Sequence, residues 1–121
     1  MNYNLKGTDL ELTSEIRAYL EKKLGSLEKF ISDKEAARAD VELHFSRGEE
    51  KTYRAEIMIH DPRLKAPLRA EARGQSLHEA IDLTVGELSG GLTRAKKKRL
   101  HNVRRGAAAV KDMLRGFRDR F

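Results

Sequence analysis

Between positions 94 and 105 the chain carries Arg94, Lys96, Lys97, Lys98, Arg99, Arg104 and Arg105, with His101 among them. A run of one sign at this density suits one kind of chemistry: it neutralises a row of phosphates and releases the counterions condensed on them. Projected on a helix, Arg94, Lys97, Lys98, His101, Arg104 and Arg105 fall within about 60° of the direction opposite Leu92. They form one basic stripe. The negative dipole end of a helix favours Lys and Arg by about 0.3–1 kcal/mol each, which accounts for two or three such residues and not for a stripe of this length. Other chemistry is sparse. Histidines 44, 60, 78 and 101 lack metal-ligand spacing, there is no cysteine, and no HExxH, GxSxG or phosphate-cradling glycine loop occurs. The pair His60-Asp61 has the residue types for acid/base work but reads as a hairpin end. The expectation is a binding protein rather than an enzyme, with no metal, no cofactor and no small-molecule substrate.

The charge distribution sharpens this. The formal net charge of the 121 residues is +6. Residues 1 to 92 hold 14 Lys and Arg against 17 Asp and Glu, whereas residues 93 to 121 hold 11 against Asp112 and Asp119 only. A near-neutral body therefore carries a basic arm, and the arm needs a polyanion: nucleic acid, an anionic membrane or an acidic protein. Hydrophobic residues at 39% and charged residues at 36% suit one folded domain with a polar extension. No run is long enough to span a bilayer and the N-terminus lacks a signal-peptide core, so a cytoplasmic protein is expected.

The elements that must position the stripe follow from periodicity. Tyr3 to Gly7 suits a short first strand, and Thr13-Ser14-Glu15 opens a helix whose apolar positions are Ile16, Leu20, Leu24, Leu27 and Ile31, predicting about five turns that end near Ser32-Asp33-Lys34. Ala39, Val41, Leu43 and Phe45 alternate with polar residues, as do Tyr53, Ala55, Ile57 and Ile59, giving a hairpin through Arg47-Gly48-Glu49-Glu50. After the break at Asp61-Pro62, Leu68, Ala70 and Ala72 form a fourth strand that stops at Gly74. Ser76 and Glu79 make a capping box for a long helix whose core face is Leu77, Ala80, Ile81, Leu88, Leu92 and Ala95. Gly90-Gly91 costs about 1 kcal/mol per residue relative to Ala and marks a bend. The order βαβββα defines an α+β domain, a four-stranded sheet with two helices on one face.

Lys96 and Arg99 take up the core-facing side after Ala95, so the helix is expected to run past the sheet into solvent. Lys22 and Lys29 lie on the outward side of the first helix and Lys23 at the edge of its apolar stripe, which makes them candidates for the same phosphate surface. Arg38, Asp40, Glu42, Arg54, Glu56, Arg69, Glu71 and Arg73 fall on the wet sheet face and read as cross-strand ion pairs. Tyr3, Phe45 and Tyr53 are in phase with the core, so no platform for stacking bases is visible, and recognition of structured RNA through shape and phosphates is expected. Residues 1–105 are read as the binding domain and 106–121 as a basic amphipathic tail. Val110, Met113, Leu114, Phe117 and Phe121 supply its apolar positions, suited to ordering on a partner.

The ordered set of segments resembles the ribosome hibernation promoting factor and ribosome-associated inhibitor family. The residues that carry the resemblance are Asn4-Leu5-Lys6-Gly7, Leu10-Glu11-Leu12-Thr13, Ile16-Arg17, Leu24, Leu27-Glu28-Lys29-Phe30, Ser76 with Ala80-Ile81-Asp82, and Arg104-Arg105 through Val110-Lys111-Asp112. It covers about residues 2 to 112 and implies a fold similar to double-stranded RNA-binding domains. It also implies binding to the decoding region of the small ribosomal subunit, where the domain overlaps tRNA and mRNA and silences idle ribosomes. By position, Lys23, Lys29, Arg94, Lys98, Arg104 and Arg105 match basic places of the family. With Lys22, Lys96, Lys97 and Arg99, they form the expected rRNA-binding set.

The chain departs from the family at Glu87-Leu88-Ser89-Gly90-Gly91-Leu92, where basic residues are usual, which moves the expected footprint toward Lys96 to Arg99. It ends at Phe121, before the second domain of the long forms would fit, so pairing of ribosomes through such a domain is not expected and a monomer is. The alternative reading is a structured-RNA-binding module without ribosome preference. A third is a membrane-surface or protein-interaction module acting through Val110 to Phe121, though no membrane partner is expected.

Overall fold

In a computed structural model of the chain, residues 1–31, 33–48 and 52–119 are described, with side chains followed as far as His101. The elements are β1 (Asn2–Thr8), α1 (Ser14–Gly25), a 3-10 turn (Glu28–Phe30), β2 (Arg38–Phe45), β3 (Tyr53–His60), β4 (Leu68–Gly74) and α2 (Leu77–Asp119). The sheet order is β1-β2-β3-β4. β1 runs parallel to β2, and β2, β3 and β4 are successively antiparallel. The βαβββα order read from the sequence is the observed one.

Alternation decides which side of each strand is dry. Ala39, Val41 and Leu43 of β2, Ala55, Ile57 and Ile59 of β3 and Ala70 of β4 are buried under both helices. α1 contributes Ile16, Leu20 and Leu24, and α2 contributes Ala80, Ile81, Val85, Leu88 and Leu92. Ala95, also expected on this face, is only half-buried. Thr84 was not read as core, yet it is fully buried: its hydroxyl lies 2.7 Å from the Ala80 carbonyl and 3.3 Å from that of Ala55, so its polar group is satisfied between helix and sheet.

Both helix starts are capped as their sequences dictate. The Thr13 hydroxyl accepts the Ile16 N–H at 3.2 Å, and the Ser76 hydroxyl accepts the Glu79 N–H at 3.1 Å. The end of α1 corrects the expectation. The helix stops at Gly25 rather than near Asp33, where Ser26 caps the Lys23 carbonyl with both its N–H (3.2 Å) and its hydroxyl (2.6 Å). Leu27 and Ile31 are nevertheless buried, on a turn and on extended chain. In the β2–β3 turn Gly48 adopts a φ of 80°, which a side chain would strain.

α2 runs unbroken through Gly90-Gly91 and lies close on the sheet there. A Cβ at position 91 would stand 2.9 Å from Leu68 Cδ2, and one at Gly74 would stand 2.8 Å from the Ala80 nitrogen. These two contacts orient α2 antiparallel to β4, so its later half travels toward the end of the sheet where β1, β2 and β4 begin. The helix is continuous through the expected 105/106 domain boundary. The amphipathic reading of Val110 to Phe121 concerns side chains outside the described residues.

Candidate nucleic-acid interface

Among the described residues, Leu92 is the last buried residue of α2. Past it, Arg94, Lys96, Lys97 and Lys98 are exposed, His101 is exposed, and Arg99 is half-buried. At 1.5 Å per residue, Lys98 stands about 9 Å beyond Leu92 and Asp119 about 40 Å beyond it. The helix therefore leaves the sheet as expected and carries its cations into solvent. The side chains of Arg104 and Arg105 lie outside the described residues, although their backbone belongs to α2.

α1 and the 3-10 turn bring Lys22, Lys23 and Lys29 to the same side of the domain, because both pack beside α2. Lys22 and Lys29 are exposed. Lys29 is not on the first helix, as its spacing suggested, but on the separate 3-10 turn, with its ammonium 5.2 Å from the centre of the Phe30 ring. Among the described residues, no carboxylate pairs with Lys22, Lys29, Arg94, Lys96, Lys97 or Lys98.

Lys23 differs. Its Nζ lies 3.2 Å from Asp82 Oδ1 at the start of α2, and the same oxygen accepts a 2.6 Å hydrogen bond from the Tyr19 hydroxyl. The ammonium also sits 5.5 Å from the centre of the Tyr19 ring, and the Tyr19 and His78 rings meet in a T-shaped arrangement at a centroid distance of 4.4 Å. The hydrogen bond and charge of Asp82 raise the Lys23 pKa, and the hydrogen bond from Tyr19, followed by the Lys23 bond and charge, lowers that of Asp82. The Tyr19 hydroxyl is raised in turn, chiefly by its bond to Asp82. Lys23 is thus a tie between the helices with part of its charge already answered. The sequence reading missed Tyr19 and Asp82; the spacing of four between Tyr19 and Lys23, which stacks them on one helix face, was the available signal.

The open face of the sheet is self-neutralising. Glu42, Glu56 and Glu71 stand directly opposite one another across β2, β3 and β4, an unfavourable row on its own. Diagonal partners relieve it. Arg54 reaches Glu71 and Glu56, each at 2.6 Å, and Arg69 reaches Glu56 at 3.0 Å and Glu71 at 2.8 Å. His60 and Arg38 meet Asp40 at 2.9 and 3.2 Å. Ion pairs across the strands, as expected, and also along them occupy these cations, whereas Lys22, Lys29, Arg94, Lys96, Lys97 and Lys98 have no such partner among the described residues.

Arg94 and Glu87 share a groove of about 330 Å³ with Leu68, Arg69 and Ala70 of β4. Gly90 and Gly91 form its helical floor. Gly91 is there because the helix touches Leu68, and a Cβ at Gly90 would meet only the Arg94 guanidinium at 3.3 Å.

A βαβββα domain whose last helix outruns its sheet and bears unpaired cations among the described residues is an α+β domain with an exposed cationic face. Residues 3–100 match the family model described as Sigma 54 modulation protein / S30EA ribosomal protein, and the chain belongs to that family. It is 31% identical over 98 residues to a ribosome hibernation promotion factor of Bacillus subtilis, covering 81% of this chain and 50% of that protein. It is 32% identical over 101 residues to the one of Lactococcus lactis, covering 81% and 51%. The chain thus spans about half the length of the curated relatives it matches. Among solved structures, the N-terminal domain of Protein Y from Thermus thermophilus aligns with a TM-score of 0.65 and 35% identity over 78% of this chain and 98% of that one. A ribosomal subunit interface protein from Coxiella burnetii, at 17% identity, shares the fold with a TM-score of 0.65 over 80% of this chain and 99% of that one.

Proposed function

We propose that the chain is a ribosome-binding hibernation factor. In this reading it occupies the decoding region of the small subunit and blocks tRNA and mRNA by filling their space. The observation that supports the reading is the set of exposed, unpaired cations on the helical side of the domain: Lys22 and Lys29 on the elements that pack beside α2, and Arg94, Lys96, Lys97 and Lys98 where α2 passes the sheet. Relatives named as ribosome hibernation promotion factors lend it the partner. The mechanism needs no bond-making chemistry. Phosphate contacts release counterions and position a rigid body, and the sheet that backs the helices gives that body its bulk.

Sedimentation with isolated small subunits, large subunits and intact ribosomes tests this, with free tRNA and a generic RNA duplex as competitors. Saturable binding of one copy per small subunit, displaced by tRNA, is expected. Binding that follows total RNA charge without subunit preference would instead assign a general structured-RNA-binding role.

A further inference from the structure

We infer that the turn joining β3 to β4, residues 61–67, is a second arm of this interface, with Arg63 and Lys65 meeting phosphates of ribosomal RNA beside those met by α2. The inference rests on the ribosome-binding reading above and adds a contact element that neither the basic stripe nor the helices contain.

The turn is built to hold its shape. Asp61 is buried at 7% exposure, and its carboxylate Oδ1 accepts the Arg63 N–H at 3.1 Å while its carbonyl accepts the Leu64 N–H at 2.9 Å. Leu64 packs against the core, and Pro62 and Pro67 fix φ near each end. Arg63 and Lys65 flank the anchored Leu64 and are both exposed. Among the described residues neither has an ion-pair partner, unlike Arg54 and Arg69 of the neighbouring strands, which are held by Glu56 and Glu71. Preorganised cations lose less freedom on meeting a phosphate than cations on a loose loop.

Topology puts this turn where α2 departs. It closes the end of the sheet at which β3 finishes and β4 begins, and Pro67 is followed at once by Leu68, the residue that touches Gly91. Leu68 and Arg69 line the same groove as Arg94. The turn therefore leads directly into the β4 wall of the groove whose helical wall carries Arg94, which brings Arg63 and Arg94, 31 positions apart in sequence, to the same end of the sheet. A polyanion laid along the emerging helix passes the turn, and two walls of one sign hold it better than a single rod.

The test compares two double variants for binding to isolated small subunits across a salt series. Arg63→Gln with Lys65→Gln is expected to reduce the log–log salt slope by about 1.5, at 0.7 to 0.9 per phosphate contact, with unchanged thermal unfolding. Lys97→Gln with Lys98→Gln serves as the helix arm. An unchanged slope for the turn variant beside a reduced slope for the helix variant would overturn this inference alone; unchanged slopes in both would overturn the reading it rests on. Because the chain has no cysteine, Lys65→Cys gives a unique tether for an iron chelate. Cleavage of ribosomal RNA from position 65, close to the sites cut from Lys97→Cys, is expected, and no cleavage above background from position 65 counts against the turn.

Discussion

Leu68 of β4 and Gly91 of α2 approach so closely that any side chain at 91 would have to displace the leucine, since a Cβ there would stand 2.9 Å from Leu68 Cδ2. The neighbouring Gly90 faces outward, and its Cβ would meet only the flexible Arg94 guanidinium at 3.3 Å. Adjacent glycines in one helix therefore respond differently. Gly90→Ala gains helix propensity and is expected to stabilise by about 0.4–1 kcal/mol. Gly91→Ala receives the same gain but adds overpacking that typically costs about 1–3 kcal/mol, so it is expected to be the less stable of the two. Urea denaturation of both variants measures the difference; equal gains would mean that Leu68 yields freely.

Glu71 makes the open sheet face sensitive to acid. The hydrogen bond and charge of Arg54, ahead of those of Arg69, hold its pKa below the ordinary carboxylate value. A depressed folded pKa means that its stabilisation is present above the unfolded value, near 4.3, and is lost as pH falls through the folded value. Glu71→Gln is expected to lower stability at pH 7 by about 0.2–1 kcal/mol for each half-exposed pair removed. Parent and variant should converge at a pH below the lowered folded value, where the parent carboxylate is protonated. A gap that persists undiminished at that pH would show that the glutamate acts through packing rather than charge.

Much of this fold was legible because two signals persist into the packed state. Strand alternation placed Val41, Leu43, Ala55, Ile57, Ile59 and Ala70 on the dry face, and the break in apolar phase after Ala95 marked where α2 leaves the sheet. The end of α1 was not legible, for a geometric reason. A 3-10 turn advances three residues per turn, so Leu27 and Ile31 keep nearly helical spacing after the α-helix has stopped at Gly25. Lys29 was misplaced onto the helix by the same persistence of phase. The contact that requires Gly91 and the tie from Asp82 to Tyr19 and Lys23 join residues far apart in sequence, and only the register of α2 on β4 and α1 creates them.

That tie gives its own prediction. Asp82 raises the pKa of both Tyr19 and Lys23, in each case mainly through its hydrogen bond. Asp82→Asn keeps the shape and removes the charge, so both groups are expected to titrate closer to their ordinary values. NMR titration of the Lys23 ammonium and the Tyr19 ring reads this directly. In Tyr19→Phe, by contrast, the Lys23 pKa should stay raised, because the carboxylate remains. If Lys23 titrated alike in the parent and in Asp82→Asn, the 3.2 Å ion pair would not persist in solution.

The basic stripe is best judged by a slope rather than an affinity. A neutralised lysine on a mere solvated face changes binding little at any salt concentration, whereas one that meets a phosphate removes a fixed quantum of counterion release. Lys97 and Lys98 are exposed beyond Leu92, so changing them should leave the buried face described above intact. Joint substitution of Lys97, Lys98, Arg104 and Arg105 by Gln is expected to lower the log–log salt slope for small-subunit binding by about 3, at 0.7 to 0.9 per contact. Thermal unfolding should be unchanged, which separates lost contact from lost structure. A slope that survives all four changes would remove the emerging helix from the interface and leave Lys22, Lys29 and the turn after β3 as the surface that meets the ribosome.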